Sequence, residues 1–346
     1  MRESANCFSL ALPSRRALAD NDPMLWTRSL VAVMVTAALG AACTKAQQPA
    51  PPPLPSAGLA WQKLPDAPSA RTEVVAVVVG AQAYVMGGYR ADGGTVTTVE
   101  IFDTASGRWG GGPALPIAVN HAMAAAVNGR VYLFGGYQSN GAPSSAAFVL
   151  EPSGWRAVAA MPQPRGAATA AVVGNTVYIA GGVGADGLAK QMLAYDATGD
   201  SWSTLPGPPT PREHLGGAAH GGLVYTVGGR LGGVDSNQDA FEVFDPSTGQ
   251  WRKLPGLPTR RGGLSAAATA NGWVVAVGGE AAQTFPEAEA FQVGEGKWYS
   301  LPGLPTPRHG LGTATNGTVV YTFAGGPKPG LFVSPALESI DLAPLG

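Results

Sequence analysis

Two landmarks recur six times along this chain at nearly constant spacing. The first is a pair of adjacent glycines that ends an apolar run, with copies 46 to 50 residues apart. The second is a tryptophan with copies 46 to 49 residues apart, so the two series stay in register. The glycine pairs are Gly87-Gly88, Gly135-Gly136, Gly181-Gly182, Gly228-Gly229, Gly278-Gly279 and Gly325-Gly326. The tryptophans are Trp61, Trp109, Trp155, Trp202, Trp251 and Trp298. A period near fifty built from short strands predicts a β-propeller with one four-stranded blade per repeat.

Each repeat also has the same internal order. An apolar strand ends in the glycine pair, a variable loop follows, and an aromatic-Asp step precedes the tryptophan by seven residues. Tyr195-Asp196 before Trp202 and Phe244-Asp245 before Trp251 show this order most clearly. The order resembles the Kelch repeat over residues 58 to 346. The resemblance implies an all-β, six-bladed Kelch-type β-propeller.

The two ends of the repeat region each hold part of a blade. Trp61 has no glycine pair before it, and the last glycine pair is followed by Glu338 to Leu342 but by no tryptophan. We therefore expect the segment from Leu59 to Leu64 to supply the outer strand of the last blade and so close the ring. The expected blades are approximately residues 66–112, 113–159, 160–206, 207–255, 256–302, and 303–346 together with 58–64.

The N-terminal region predicts export. An apolar run from Leu30 to Ala42 follows Arg28; it is too short to span a bilayer but has the length of a signal-peptide core. The run leads into Gly40-Ala41-Ala42-Cys43, which resembles the cleavage site of bacterial lipoproteins. That resemblance implies a lipidated Cys43 and a membrane-anchored protein of the cell envelope, in the periplasm or on the outer surface. Plain secretion and a simple membrane anchor are the alternatives.

The remaining N-terminal residues divide into a leader and a tether. Residues 1–42 are interpreted as leader and signal peptide, with Met24 as a possible true start. Residues 43–57 contain the prolines Pro51 to Pro53 and predict a semi-rigid tether to the membrane. The chain has two cysteines, Cys7 and Cys43, so the propeller contains none and is expected to be stabilised by packing alone.

The loops predict two different faces of the propeller. The turns between the first two strands of the blades are short, with pairs such as Asn128-Gly129 and Asn271-Gly272 that favour tight hairpins. The loops after the glycine pairs are longer and differ between blades, and we expect binding residues there. The candidates among them are Tyr89, Tyr137 and Arg230.

An arginine recurs ten residues after the tryptophan in five of the six repeats. Because this position begins the innermost strand, we expect these side chains near the mouth of the central channel. They could form an anion-binding funnel, or they could be scaffold residues that hold the inner strands in register. The second repeat has Val119 instead. The five arginines are Arg71, Arg165, Arg212, Arg261 and Arg308.

The deviations from the repeat supply the candidate catalytic residues. Glu213 and His214 follow Arg212, and they could act as an acid/base pair or be solvated partners of a neighbouring arginine. His121 and His309 are further candidate lining residues on the same face. The four histidines, which include His220, show no metal-ligand spacing, so neither a metal nor a cofactor is expected.

Two classes of function remain open. The formal net charge is −1 and no polybasic block is present, so nucleic acid is not an expected partner. The first class is a binding module of the cell envelope whose partner is a protein, a glycan or an acidic small molecule, with contact to the membrane only through the anchor. The second is a cofactor-free carbohydrate-active enzyme similar to the sialic acid mutarotases. A copper oxidase like galactose oxidase is excluded because the propeller lacks the cysteine of its crosslinked tyrosine.

Overall fold

The computed structural model describes residues 51–54 and 58–346, which form six four-stranded antiparallel sheets around a central channel. The lipidation candidate Cys43, the leader and most of the tether lie outside the described residues. Neighbouring blades touch through their innermost strands in cyclic order, including the last blade against the first. The expected six-bladed propeller is confirmed.

The strands are short and follow the repeat. The N-terminal strand is β1 (Gln62–Leu64), and the first blade consists of β2 (Val75–Val79), β3 (Gln82–Met86), β4 (Val99–Asp103) and β5 (Arg108–Gly111). The second blade consists of β6 (Met123–Val127), β7 (Arg130–Phe134), β8 (Ala147–Glu151) and β9 (Gly154–Ala157). The third consists of β10 (Thr169–Val173), β11 (Thr176–Ala180), the small hairpin β12 (Val183–Gly184) and β13 (Gly187–Leu188), then β14 (Gln191–Asp196) and β15 (Ser201–Pro206).

The second half of the ring repeats the pattern. The fourth blade consists of β16 (Gly216–His220), β17 (Leu223–Val227), β18 (Phe241–Asp245) and β19 (Gln250–Lys253). The fifth consists of β20 (Gly262–Ala268), β21 (Trp273–Glu280), β22 (Ala288–Gln292) and β23 (Lys297–Ser300). The sixth consists of β24 (Gly312–Asn316), β25 (Val319–Phe323) and β26 (Leu337–Asp341), completed by β1. Two short 3-10 helices, Val234–Ser236 and Ala343–Leu345, lie outside the sheets.

The N-terminal strand closes the ring as the sequence predicts. Strand β1 pairs antiparallel with β26, with Gln62 opposite Ser339 and Leu64 opposite Leu337. Trp61, just before it, donates its Nε1–H to the carbonyl of Pro302 at 2.8 Å. The last blade therefore combines strands from both ends of the propeller, and its outer edge is covered.

The recurring tryptophans join neighbouring blades. Each indole Nε1–H donates to a backbone carbonyl 42 to 45 residues earlier in the chain, except for Trp61, which reaches forward to Pro302. The remaining acceptors are the carbonyls of Pro65, Pro113, Ala159, Pro206 and Pro255. The period of the tryptophans is thus the period of the contacts between blades.

In the first five glycine pairs, the second glycine also joins two blades. Its N–H donates to the carbonyl of the residue at the arginine position of the next blade, as Gly88 does to Val119 at 2.8 Å. Gly88 has a φ of +98°, and a Cβ there would lie 2.5 Å from the Thr72 carbonyl oxygen. No larger side chain fits without moving the backbone.

The sixth glycine pair needs a correction of one residue. Gly325, not Gly326, donates its N–H to the next blade, to the carbonyl of Arg71 at 2.8 Å. Ala324 therefore takes the place of the first glycine, with a φ of +54°. The structural repeat is Ala324-Gly325, because the hydrogen bond to the next blade sets the register and the Gly-Gly pair in the sequence does not.

The last described part of the expected tether packs on the propeller. Pro53 forms a parallel bridge with Ser300, and Leu54 is buried in a core cluster with Leu301 and Leu304. These residues extend the sheet of the fifth blade and are not a free spacer. In the part of the chain that the structure describes, no helix is long and apolar enough to cross a membrane.

Candidate functional site

Six residues form a ring at one end of the channel, which we call the collar. Each lies two positions after the arginine position of its repeat, and each has a positive φ between 51° and 68°. Backbone hydrogen bonds connect them from blade to blade, for example from the His121 N–H to the Glu73 carbonyl at 3.0 Å and from the Ala167 N–H to the His121 carbonyl at 3.1 Å. The collar residues are Glu73, His121, Ala167, His214, Gly263 and Gly310. The left-handed conformation gives these residues a shared geometry at the rim of the channel.

Three of the collar side chains converge. The Nε2 atom of His121 lies 3.0 Å from Oε2 of Glu73 and 2.9 Å from Nε2 of His214. All three side chains are mostly buried, with exposed fractions between 9% and 12%. Blades 1, 2 and 4 thus bring one carboxylate and two imidazoles to one point.

Each of these three side chains is held from behind by another residue. Glu213 Oε2 accepts a hydrogen bond from His214 Nδ1–H at 2.6 Å, and Asn120 Oδ1 lies 2.6 Å from His121 Nδ1. His309 Nδ1 lies 3.2 Å from the second carboxylate oxygen of Glu73. The outer partners leave Nε2 of both histidines and Oε2 of Glu73 directed at one another.

A further layer of charge fixes the outer partners. Arg230 donates from Nε to Glu213 Oε1 and from Nη1 to Glu280 Oε1, both at 2.9 Å. His309 Nε2 lies 3.1 Å from the carbonyl oxygens of Lys328 and Gly330. The cluster therefore spans several blades and is a continuous polar network.

The surroundings shift the pKa values of the cluster. Burial alone would raise the pKa of Glu73, but the charges of His121 and His309 and the hydrogen bond from His309 hold it well below its usual range. Burial lowers the pKa of His121 to about 4, because desolvation outweighs the attraction of Glu73. Desolvation would also lower the pKa of His309, but the bond to Glu73 raises it instead. Glu73 is thus ionised and His121 neutral near pH 7.

Two tyrosines border the cluster. The rings of Tyr89 and Tyr137 stand nearly perpendicular to the His121 ring, with centroids at 6.0 and 5.4 Å. Burial, with Glu213 nearby, raises the pKa of Tyr137 to about 12, and burial also raises that of Tyr89. Both therefore stay protonated and supply apolar ring surface with a hydroxyl.

The channel beside the cluster is narrow. Its cavity of about 130 Å³ is lined by the collar and by the innermost strands of the blades. Small residues such as Ala124, Ala170 and Gly217 form much of the wall. The cavity has room for water molecules or a small ligand next to Glu73, His121 and His214.

The five repeated arginines lie elsewhere, which corrects their expected placement at the channel mouth. Each is at most 1% exposed, and its guanidinium points into the sheet of its own blade. Four of them pair with a glutamate of the third strand, at N–O distances of 2.6 to 2.8 Å. The pairs are Arg71–Glu100, Arg212–Glu242, Arg261–Glu289 and Arg308–Glu338. The arginines are therefore scaffold residues, because their guanidinium groups form hydrogen bonds inside the blades and do not face the channel.

The other two blades show variants of the same position. Arg165 has Leu193 where the other blades have the glutamate, and it donates to Gln163 Oε1 and to the Gln191 carbonyl at 3.1 Å. In the second blade Val119 belongs to the same apolar cluster as Phe148, which takes the place of the glutamate. The break at Val119 is therefore a change from a buried ion pair to two apolar side chains of one cluster.

The structure brings most of the other candidate residues together. Glu213, His214, His121 and His309 meet at the collar. Tyr89, Tyr137 and Arg230 border the same cluster, so the loop-rich face and the channel mouth are one region. His220 ends β16, near the hairpin at Gly272 on the opposite side of the blade.

Sequence reasoning missed two members of the cluster, Glu73 and Asn120. Glu73 is two residues after Arg71, as His214 is two residues after Arg212 and His121 two after Val119. Comparing the repeats at this offset would have identified it. His121 and His214 are 93 residues apart in the chain, so spacing alone gives no sign that they meet.

Comparison with known proteins agrees with this architecture. Residues 75–256 match the model of the KLHDC2/KLHL20/DRC7 Kelch-repeats domain, which is more than half of the chain. The chain belongs to the Kelch-repeat family.

The chain is also similar to parts of several curated proteins. It is 27% identical to Kelch-like protein terF of Aspergillus terreus over 151 residues, which cover 40% of this chain and 33% of that protein. It is 46% identical to Kelch-like protein 7 of Homo sapiens over 55 residues, or 16% of this chain and 9% of that protein. It is 30% identical to Kelch-like protein 24 of Mus musculus over 98 residues, or 28% and 15%. The chain covers a third or less of the length of these relatives.

Proposed function

We propose that the propeller is a binding module that captures a protein partner on the loop-rich face around the collar. One observation carries this proposal. Among the described residues, the three large apolar side chains that stand out in solvent are Leu231, Leu331 and Phe332, each 47% to 55% exposed. All three lie in the loops between the second and third strands of blades 4 and 6. Exposed apolar side chains that share one face are typical of protein-binding surfaces.

The composition of this face favours a protein over an acidic sugar. Lys328 Nζ lies 5.4 Å from the centre of the Phe332 ring, and Tyr89 and Tyr137 border the collar nearby. Arg230 is engaged by Glu213 and Glu280, so it is not a free anion-binding group. Exposed leucine and phenylalanine side chains on the same face as two tyrosine rings suit a partner segment with apolar side chains.

A peptide selection tests the proposal. Random twelve-residue peptides are selected on the purified chain by phage display, and their Kd values are measured for wild type and variants by fluorescence polarisation. We expect Leu331→Asp with Phe332→Asp to weaken binding of the selected peptides at least about tenfold, because a charge replaces apolar contact area.

The matched control lies on the opposite face. Ala105→Asp with Ser106→Asp adds the same two charges at an exposed turn between β4 and β5 and should leave the Kd unchanged. Equal binding by the Leu331 and Phe332 variant, or failure to select any peptide, would contradict the proposal.

The enzyme alternative rests on the acid/base pair alone. Glu213 and His214 are hydrogen-bonded and His214 faces the channel cavity, which suits proton transfer to a small sugar. The five arginines that would hold a sugar carboxylate are buried inside their blades, four of them in ion pairs with glutamates, so the geometry favours the binding module. NMR exchange spectroscopy on sialic acid would detect accelerated anomer exchange if the alternative were correct.

We also propose that the protein is exported to the cell envelope as a lipoprotein. The apolar run before Cys43 and the lack of cysteine in the propeller support this location. A fatty-acid probe should become attached to the wild-type protein but not to the Cys43→Ser variant. Equal labelling of both would contradict it.

A further inference from the structure

We propose that Glu73, His121 and His214 form a binding site for a divalent transition-metal ion at the collar, with Zn²⁺ as the matching probe. Each residue supplies one ligand atom, and the three atoms lie within 4.8 Å of one another. Two imidazole nitrogens and one carboxylate oxygen are a ligand set that zinc uses in sites with an open fourth position.

The distances fit a small metal ion. Ligands about 2.0–2.1 Å from a tetrahedral ion are roughly 3.3–3.4 Å apart. His121 Nε2 lies 2.9 Å from His214 Nε2 and 3.0 Å from Glu73 Oε2. These two distances are a few tenths of an ångström shorter than that spacing, and all three ligand atoms lie within 4.8 Å of one another, so the side chains must move apart at His121 to admit the ion.

The hydrogen bonds behind the two histidines fix which nitrogen is available. Glu213 is a carboxylate and only accepts, so His214 Nδ1 carries the hydrogen. Asn120 Nδ2 faces Thr95 Oγ1 at 3.0 Å, which leaves its oxygen facing His121 Nδ1. The remaining ring nitrogen of each histidine, Nε2, faces the other ring. The two Nε2 atoms lie 2.9 Å apart with Glu73 Oε2 3.0 Å from His121 Nε2, so one metal ion placed among them would take electron pairs from both rings and from the carboxylate.

Every proposed ligand also has the outer partner that metal ligands in proteins usually have. His214 is backed by Glu213, His121 by Asn120, and Glu73 by His309 on its other oxygen. Glu213 is itself fixed by Arg230. Such outer partners orient the ligands and raise the affinity for the metal.

The backbone at Gly310 leaves room for the Glu73 carboxylate. Gly310 belongs to the collar with a φ of +57°, and a Cβ there would lie 2.4 Å from Oε1 of Glu73. The collar position of blade 6 thus leaves space for the Glu73 side chain. The channel cavity of about 130 Å³ adjoins the three ligands on the other side, so the fourth position faces a space for water or a small ligand.

Metal content is the direct test. The full chain without an added histidine tag is stripped with a chelator, dialysed against Zn²⁺ and analysed by mass spectrometry for zinc per chain. We expect one ion per wild-type chain above the background of the triple variant Glu73→Gln, His121→Ala, His214→Ala. The single variants His121→Ala and His214→Ala should bind at least about tenfold more weakly. Cobalt substitution should give the visible absorption bands of a tetrahedral site.

The controls separate binding from misfolding and from stray histidines. His220→Ala removes a histidine away from the collar and should bind zinc like the wild type. Glu213→Gln leaves the three ligands in place but weakens the orientation of His214, and we expect about tenfold lower affinity. Circular dichroism verifies the fold of each variant. Equal zinc content in the wild type and the triple variant, or equal zinc affinity in His220→Ala and His121→Ala, would overturn the proposal in favour of a proton shared by the two histidines.

Discussion

At the scale of the residue, the arginine position shows how one place in the repeat is used in different ways. Four blades carry an arginine paired with a glutamate, the third has Arg165 without a carboxylate, and the second has Val119. A buried ion pair is costly to break but can often be replaced as a unit by apolar residues. The second blade is an example of that replacement within the same chain.

The pair in blade 4 gives a prediction at this scale. Arg212→Val or Glu242→Phe alone should lower the free energy of unfolding by about 3–5 kcal/mol, because each leaves a buried charge without its partner. The double variant reproduces the residue types of the second blade at these positions, Val119 and Phe148, and should lose clearly less than the sum. Urea unfolding of the four proteins in a double-mutant cycle measures the difference. Additive losses would show that the two charges are not coupled.

The collar is a second place where equivalent positions of the repeat carry different side chains. All six residues share one backbone conformation, but only Glu73, His121 and His214 carry groups that can bind or transfer protons. Ala167, Gly263 and Gly310 carry no polar side-chain group, and Gly310 leaves space for the Glu73 side chain. The chemistry of the site therefore depends on side chains that differ among positions that are equivalent in the backbone.

At the scale of the element, the short strand β1 closes the ring by completing the sixth blade. Strand β1 has three residues, yet it is the only strand of the described chain that pairs with β26 on its outer side. Without it the outer edge of β26 would present unpaired backbone groups to solvent.

A truncation tests this role of β1. A chain that begins at residue 66 lacks β1 and the Trp61 bond to Pro302, whereas a matched chain that begins at residue 58 retains both. We expect the shorter chain to melt roughly 5–10 °C lower if the lost contacts are worth about 3 kcal/mol, and to self-associate through the open edge. Differential scanning calorimetry and size-exclusion chromatography measure both effects. Equal midpoints for the two chains would refute the role assigned to β1.

At the scale of the whole molecule, the ring is closed by contacts of several kinds at one seam. The Gly325 N–H donates to the Arg71 carbonyl, β1 pairs with β26, and Trp61 reaches Pro302. An open array of repeats can unfold from its ends, but a closed ring has no free end. The seam couples the first and last blades as tightly as the others are coupled.

This closure predicts a single cooperative unfolding transition. Tryptophans in all six repeats report on local contacts between blades, and far-UV circular dichroism reports on the strands as a whole. We expect the two signals to give the same midpoint in guanidinium chloride, as two-state unfolding requires. Two separated midpoints would show that blades unfold independently in spite of the seam.

The fold was largely predictable because its signals act within a repeat or between neighbours. The glycine pairs mark the contact of one blade with the next, and the tryptophans mark the bond to the preceding blade. Both contacts recur at the period of the repeat, so counting them gave six blades and the closing strand. The prediction for the sixth glycine pair was wrong by one residue. Ala324 adopts the positive φ that the sequence pattern assigns to a glycine.

The candidate site was predictable only in part. The irregular residues Glu213, His214, His121 and His309 do meet, since irregularities in a repeat mark what the scaffold does not need. The arginines were misplaced because the sequence does not show whether a side chain at a strand start turns into the channel or into its own sheet. Their glutamate partners, 28 to 30 residues later, decide that direction.

The sequence by itself determined the number of blades, the turns, the closure and the irregular positions, because these depend on local spacing and on contacts that recur with the repeat. Only the tertiary structure decided which irregular residues share a site. His121 and His214 are 93 residues apart, and Glu73 and His309 are 236 apart. They meet because closing the ring brings the first and second positions after the arginine position of different blades to one narrow channel, and the packing of the blades decides which of these side chains come into contact.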